Sequence, residues 1–412
     1  MEDVHRHLDQ PSELIELNGY RQSILSRIGP LEPIPLGLLE AHGCVLAEDV
    51  TADTDVPPFT NSAMDGYAVR VQDTYASAEL EIVAEAAAGS EPGFPIGAGE
   101  AVRIMTGAPI PPGADAIVPV EDADEYGNLV RLRVAAQHGK HIRPTGEDIT
   151  AGETMLISGR RIGAADVGML AAVGHTEVRV HPRPRVVVLA TGDELLEPGE
   201  PNRPGAVRDA NSYALTALAR ESGATAFRMP IVPDDHRQLQ EAFEGALTQA
   251  DLLVTTGGVS AGRYDYVKDV LAQLGDVRFS KVGMQPGMPQ AFGFLGTVPC
   301  FGLPGNPVSA YVSFEVFVRP ALRRMQGRTD LNRPRVTAIL DDEMNSPMDK
   351  VSFLRVKLHR EDGIWHARSA GLQGSGILRS VVEADGLAEI PVDRTSLFPG
   401  ERVVVHLLVD AI

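Results

Sequence analysis

Between Pro184 and Gly327 strand-like and helix-like segments alternate, and this pattern constrains the fold more than any other feature of the 412-residue chain. Arg185–Ala190 (RVVVLA) is an almost unbroken apolar, β-branched run, as expected of a strand buried on both faces. Asn211-Ser212 then caps a helix that runs to Gly223. Ala226–Val232 reads as a strand, and His236–Leu247 as a helix behind Asp235. Asp251–Thr255 is the next strand, followed by Gly257-Gly258-Val259-Ser260 and a helix over Tyr264–Leu274. Val298–Leu303 is a strand leading through Gly305-Asn306-Pro307 into a long helix. Alternation of this kind predicts a doubly wound, mostly parallel sheet, with ligands at the carboxyl ends of its strands.

The flanking segments have a different texture. Ser12–Arg27 carries apolar residues at helical spacing and stops at Gly29-Pro30, and Leu38–His42 reads as a second short helix. From Asp55 to about Asp148, short β-type runs (Glu79–Glu85, Ala116–Val120, Leu129–Val134) are punctuated by Gly and Pro, predicting a compact β-rich insert. Ala164–Val173 is a short helix. After Gly327 the helical signals vanish, and Arg335–Leu340, Ser352–His359, Ile364–Ala367 and Arg402–Val409 read as strands of a small β domain. The predicted class is therefore multidomain α/β. An elongated N-terminal linker domain covers 1–50 with 150–182, and a β-rich inserted domain 51–149. An α/β domain follows over 183–328, and a C-terminal β domain over 329–412.

Composition excludes several functions. The chain has 56 Asp and Glu against 37 Lys and Arg, and a net charge of −19 argues against non-specific nucleic-acid binding. No apolar run is long enough to span a bilayer, and the start, Met1-Glu2-Asp3-Val4-His5, carries no secretory signal, so a cytoplasmic, non-membrane protein is expected. Cys44 and Cys300 have no metal-ligand spacing and read as buried thiols. An anionic substrate would need local rescue by helix N-termini, a few basic side chains or divalent metal held by carboxylates.

The chemistry-bearing residues lie in strand-end loops. Thr191-Gly192-Asp193-Glu194 places two acids at the ligand edge, with turn chemistry the favoured role of Asp193. In Thr255–Gly262, three glycines free backbone N–H groups to approach a phosphate and Ser260 adds a hydroxyl. Gly258-Val259-Ser260-Ala261-Gly262 also fits the Gly-x-Ser-x-Gly hydrolase elbow. Only His359, His366 and His406 follow it, all in the separate β domain, so a phosphate-binding loop is the better reading. Asp265 is either an acid favoured by a helix dipole or a magnesium ligand. Asn306 and Pro307 specify a helix start and can present N–H groups to an anion at the same time. Asp234 neighbours the cap Asp235, Lys281 lies where a lysine is usually solvated, and the His138/His141 pair reads as exposed.

Six motifs in register resemble the MoeA family, which includes the C-terminal domain of gephyrin. They are Asp55–Val69 (DVPPFTNSAMDGYAV), Met105-Thr106-Gly107-Ala108, Gly146-Glu147-Asp148-Ile149, Thr191-Gly192-Asp193-Glu194, Gly257-Gly258-Val259-Ser260 and Gly302–Ser309 (GLPGNPVS). The resemblance implies an elongated homodimer in which the wound domain faces a β domain of the partner. It implies magnesium-dependent cleavage of adenylyl-molybdopterin, coupled to molybdate insertion with release of AMP, and transient contact with the molybdopterin adenylyltransferase. Carried over residue by residue, the important positions are Asp65, Thr106, Asp148, Glu194, Asp234, Asp265 and Lys281. Glu194, Asp234 and Asp265 would be the magnesium ligands. Gly257, Gly258, Ser260, Pro304, Gly305, Asn306, Pro307 and Ser309 would bind substrate, with Arg355 and Ser375 on molybdate. Gln285 and Met288 depart from the pattern, because many relatives carry lysines there; Arg263 or Arg143 are candidate replacements. An adenylyltransferase-like activity and a non-catalytic scaffold role are the alternatives. The flanking domains and Met64-Asp65-Gly66-Tyr67 weigh against the first, and the retained acids against the second.

Overall fold

The computed structural model describes residues 14–91, 93, 95–258 and 266–408 and contains the wound sheet that the sequence predicts, with six strands. The chain divides into two compact units, one comprising residues up to Ile34 together with His181 onward, the other Pro35–Val180. In the first unit, α1 (Leu17–Leu25) precedes the elements β1 (Arg185–Ala190), α2 (Asn211–Glu221), β2 (Thr225–Arg228), α3 (His236–Leu247) and β3 (Leu252–Thr256). Then come α4 (Tyr266–Leu274), β4 (Gly275–Lys281), β5 (Pro289–Leu295), β6 (Val298–Leu303), α5 (Pro307–Ser313) and α6 (Arg319–Met325). Helix α1 is shorter than the sequence pattern. Glu16 starts it by accepting hydrogen bonds from the N–H groups of Asn18 and Gly19 (2.8 and 2.6 Å), and Ile15 just before it is committed to a β-bridge with Val282.

The sheet order is β2-β1-β3-β6-β5-β4. The first four strands are parallel, and β5 and β4 form an antiparallel extension. The sequence marks strand-like segments on both sides of Lys281 and a turn at Pro286-Gly287, but not their pairing as a hairpin; Gly275, Pro289 and Gly293 dilute the β signal. Burial alternates along β1: Val186 and Val188 face a core with α1, α2, α5 and α6, while Val187 and Leu189 face one with α3 and α4. Each such side chain contributes roughly 1.5–3 kcal/mol on burial. Both faces are covered, so the sheet is doubly wound.

The same unit contains a five-stranded closed barrel. Its strands are β7 (Arg335–Leu340), β8 (Val351–Glu361), β9 (Ile364–Ser369), β10 (Gly386–Ile390) and β11 (Arg402–Leu407). Pairings run β8-β9-β7-β11-β10 and back from β10 to β8. Closure removes the free edges a short sheet would otherwise expose. Leu354, Val356 and Leu358 fill the barrel, whereas Phe353, on the opposite face of β8, joins the core shared with α1 and the wound domain. Met284-Gln285 pairs in parallel with Val351-Ser352 and ties the wound sheet to the barrel. Helical structure does not end at Gly327: a short helix, α7, spans Leu378–Val382. Strand β10 also lacks a strong sequence signal.

The Pro35–Val180 unit holds a six-stranded sheet in the order 116–119, 66–69, 100–104, 79–86, 129–132, 123–126. Gly66–Val69 is a central strand with Tyr67 and Val69 in one core and Ala68 in another. A further cluster gathers Leu46, Ile162 and Leu170. Cys44 and Cys300 are buried thiols outside any disulfide, and burial pushes the Cys300 thiol up to about 12. No helix among the described residues is long and apolar enough to cross a membrane.

Candidate active site

Register aligns the carboxyl ends of three neighbouring strands. Ala190 pairs with Thr256, and Thr256 with Leu303, so the loops that follow β1, β3 and β6 leave the sheet side by side. From β1 the chain winds first to β2 on one side and then to β3 on the other, which makes the β1/β3 boundary the topological switch point. A cavity of about 280 Å³ lies there, lined by Thr191, Glu194, Asn211, Thr256, Gly257, Asn306 and Pro307 among others.

Its walls are held by one side chain. The Asn211 amide donates to Thr256 Oγ1 (3.0 Å) and to the Gly305 carbonyl (2.7 Å), and the Thr256 hydroxyl donates to the Pro304 carbonyl (3.2 Å). Helix α2 is capped instead by Asp209, whose carboxylate accepts from the Ser212 N–H (3.0 Å) and the Ser212 hydroxyl. Gly257 has φ +96°, and a Cβ there would lie 2.6 Å from the Thr191 carbonyl oxygen. Thr191 lines the cavity, and its buried hydroxyl has no partner among the described residues. Gly258 is exposed at the loop, and Pro304 is buried behind it.

Acids gather beside this cavity. A parallel bridge between Thr191 and Val232 brings the two strand-end loops together, and the Asp234 N–H donates to Asp193 Oδ1 (3.2 Å). Asp193 thus fastens the loops, while Glu194 and Asp234 present exposed carboxylates. These are hard oxygen donors of the class magnesium takes. Ser260 and Asp265 lie outside the described residues, as do Arg263 and most of the Gly-x-Ser-x-Gly stretch. Lys281 is exposed at the end of β4. It sits at the same sheet edge but lines neither this cavity nor the next.

A second cavity of about 330 Å³ lies between the wound sheet and the barrel, lined by Gln285, Met288, Ser309, Lys350, Arg355 and Ser375 among others. Arg355 is fully buried on the outer face of β8. Its guanidinium donates to Ser380 Oγ (3.1 Å) and to the carbonyls of Gly374 (3.3 Å) and Phe353 (3.4 Å). Among the described residues no carboxylate forms an ion pair with it, and burial lowers its pKa to about 10. Gln373 fixes the strand by bonding both the N–H and the carbonyl of Arg355 (2.9 Å each). A buried cation with spare donors and no counter-charge is a site for an anion. Gln285 and Met288 both line this cavity, and Lys350 supplies a cation within it.

The first turn of α5 separates the cavities. Asn306 and Pro307 line the first and Ser309 the second, while the Val308 N–H donates to the Ser375 carbonyl (3.0 Å). Asn306 occupies the N-cap and Pro307 the first helical position, as the sequence indicates, although the Asn306 side chain makes no cap bond.

Three predicted residues belong to the Pro35–Val180 unit. Asp65 Oδ1 accepts from the N–H (2.7 Å) and hydroxyl (2.8 Å) of Thr106, and these bonds hold its carboxyl below the usual range. Asp148 sits in an exposed loop whose N–H bonds the Val56 carbonyl (2.9 Å). Asn211, Lys350 and Gln373 are not legible in the sequence as site residues, since only tertiary neighbours distinguish them from caps and loop polars; Thr191 and Thr256 lie in loops that the sequence does mark.

Three family models cover most of the chain. Residues 15–174 match the MoeA N-terminal region (domain I and II), 187–324 a probable molybdopterin binding domain, and 337–408 the MoeA C-terminal region (domain IV). The chain is 43% identical over 384 residues to a Mycobacterium tuberculosis protein named molybdopterin molybdenumtransferase 2, covering 90% of this chain and 94% of the relative. A Haemophilus influenzae protein named molybdopterin molybdenumtransferase is 34% identical over 404 residues, covering 96% and 100%. A solved structure described as the molybdopterin biosynthesis moeA protein from Pyrococcus horikosii superposes with a TM-score of 0.81 at 34% identity, over 96% of this chain and 99% of that one. With motifs, fold and relatives in agreement along nearly its whole length, the chain belongs to the MoeA family.

Proposed function

We propose that the chain is a molybdopterin molybdenumtransferase: it binds adenylyl-molybdopterin at the switch-point cavity and molybdate at the Arg355 cavity, and releases AMP as molybdate is inserted. The observation that carries this reading is a buried, carboxylate-free arginine one helix turn from a phosphate-type loop cavity. A single ligand bearing both a phosphoanhydride and a metal-accepting dithiolene has reason to occupy both chambers.

The roles follow from the geometry. Backbone N–H groups around Gly257 bind phosphate oxygens, and Asn211 keeps the three loops at fixed spacing. Arg355 and Lys350 neutralise the oxyanion, with Ser375 and Ser309 at its margin. Glu194 and Asp234, with Asp265, would hold magnesium, which when bound offsets the negative charge of the phosphoanhydride. Water attacks the phosphoanhydride, a bond to its bridging oxygen breaks, and AMP separates from the pterin phosphate; two Mo–S bonds form as one molybdate oxygen leaves as water with the two dithiolene protons. Asp65, Thr106, Asp148 and Lys281 complete the set that the family resemblance assigns to the reaction. In this reading the protein works in the cytosol as a homodimer and receives its substrate through transient contact with the adenylyltransferase.

The test is AMP release from adenylyl-molybdopterin by the purified protein with magnesium, with and without molybdate. Molybdate-dependent release is expected. Tight pterin binding without release would overturn the transferase reading in favour of a non-catalytic binder. Glu194→Gln should abolish magnesium-dependent turnover, with melting temperature unchanged because the residue is exposed. A variant that unfolds would make the acid structural.

Asp65 gives a pH signature. Its depressed pKa keeps it ionised to lower pH than an ordinary carboxylate. Thr106→Val removes the hydroxyl bond, so the acid limb of the pH–rate profile should move to higher pH. An unmoved limb would show that Asp65 is not the titrating group.

A further inference from the structure

Three metal-ligand side chains meet on the outer face of the barrel, in the same unit as the two cavities but lining neither. His359 and His366 are directly opposed across the antiparallel β8/β9 pair. Their rings lie 5.3 Å apart at 37°. Asp341 follows β7, where its N–H bonds the Ala367 carbonyl (3.0 Å), next to His366 on the third strand. His366 Nδ1 is 2.9 Å from Asp341 Oδ1, and His359 Nδ1 is 3.8 Å from Asp341 Oδ2. One ligand atom from each of the three lies within 4.8 Å of the others. Among the described residues this is the one group of three such side chains with that spacing.

Strand parity makes the arrangement rigid. Leu340, Leu358 and Ala367 point into the barrel core, so Asp341, His359 and His366, each one residue along from them, share the outer face. Two donors therefore stand on paired strands and the third on the residue directly after a strand, held by its N–H bond to Ala367. Glu361, 4.0 Å from His366 Nε2, adds negative charge at the rim, and the nearby Lys357 is engaged by Glu383 at 3.2 Å.

We propose that Asp341, His359 and His366 form a binding site for a zinc-class divalent ion. Two imidazoles with one carboxylate suit zinc, copper and nickel rather than magnesium or calcium, which prefer oxygen alone. Tetrahedral zinc with bonds of about 2.0–2.1 Å spaces its ligand atoms roughly 3.3 Å apart. One ligand atom from each of the three already lies within 4.8 Å of the others, so side-chain rotations that close these gaps admit the ion. Three protein ligands leave a fourth position for water. Bound there, the ion clips β7, β8 and β9 together.

The competing reading is a purely proton-linked His–Asp cluster. Zinc titration of chelator-stripped full-length protein against a chromophoric competitor separates the two. One zinc per chain is expected, bound more weakly by about tenfold or more in His359→Ala and in His366→Ala. His138→Ala serves as the exposed-histidine control and should titrate like the parent. Added zinc should raise the melting temperature of the parent and not of His359→Ala. Absence of stoichiometric binding, or binding equally tight in both barrel variants, would overturn the proposal. Neither result bears on the molybdate chemistry, because the three residues line neither cavity.

Discussion

Arg355→Met is expected to remove molybdate-dependent AMP release while leaving the fold as stable as the parent or more so. The guanidinium is fully buried, its bonds to Ser380, Gly374 and Phe353 are long at 3.1–3.4 Å, and no carboxylate balances it among the described residues. Holding such a charge costs several kcal/mol, and replacing buried ionic groups with apolar side chains of similar volume is often neutral or stabilising. The function given up is larger. Two charge-assisted bonds to an oxyanion amount to roughly 3–6 kcal/mol, or about 10²–10⁴-fold in kcat/KM for molybdate. Arg355→Lys keeps the charge but loses the planar fork, so an intermediate loss is expected. Kinetics at varied molybdate together with thermal denaturation check the pair. A lowered melting temperature with molybdate kinetics unchanged would make Arg355 a structural residue.

Gly257→Ala should cost both stability and pterin binding. An alanine at φ +96° pays roughly 1–2 kcal/mol for the left-handed conformation. Its Cβ would also fall 2.6 Å from the Thr191 carbonyl oxygen, in a loop whose strands are locked in the middle of the sheet. Together these predict a fall in melting temperature of roughly 4–10 °C, at about 2–4 °C per kcal/mol for a unit of this size. The methyl group also displaces the backbone that faces the phosphate, so affinity for adenylyl-molybdopterin should drop with it. Calorimetry and ligand-binding titration measure the two effects. An unchanged melting temperature would mean the loop can relax, and the close-approach account of this glycine would fail.

How far the sequence reveals this protein depends on whether a property is local. Arg185–Ala190, His236–Leu247 and Val298–Leu303 are read to the residue, because burial on both faces or a single amphipathic stripe leaves an unmistakable pattern. The pairing of β4 with β5 and the strand β10 escape, since their glycines and short length weaken the β signal while pairing partners supply the stability. Barrel closure is equally silent, being a relation among five segments. At the site, the strand-end acids and glycines are visible because charge and chain reversal at a sheet edge are local facts. Asn211 looks like a cap and works as a brace; Lys350 looks like a loop lysine and lines the cavity where Gln285 and Met288 carry no charge.

The α5 turn between the cavities has a consequence for how strongly one guest favours the other. A ligand that tightens around Asn306 and Pro307 on one side shifts the backbone whose Val308 N–H is bonded to Ser375 on the other. One short stretch of chain is thus the floor of one chamber and the ceiling of the next. Whatever free energy the first guest spends in settling that stretch is spared the second, and the saving is the same whichever guest arrives first.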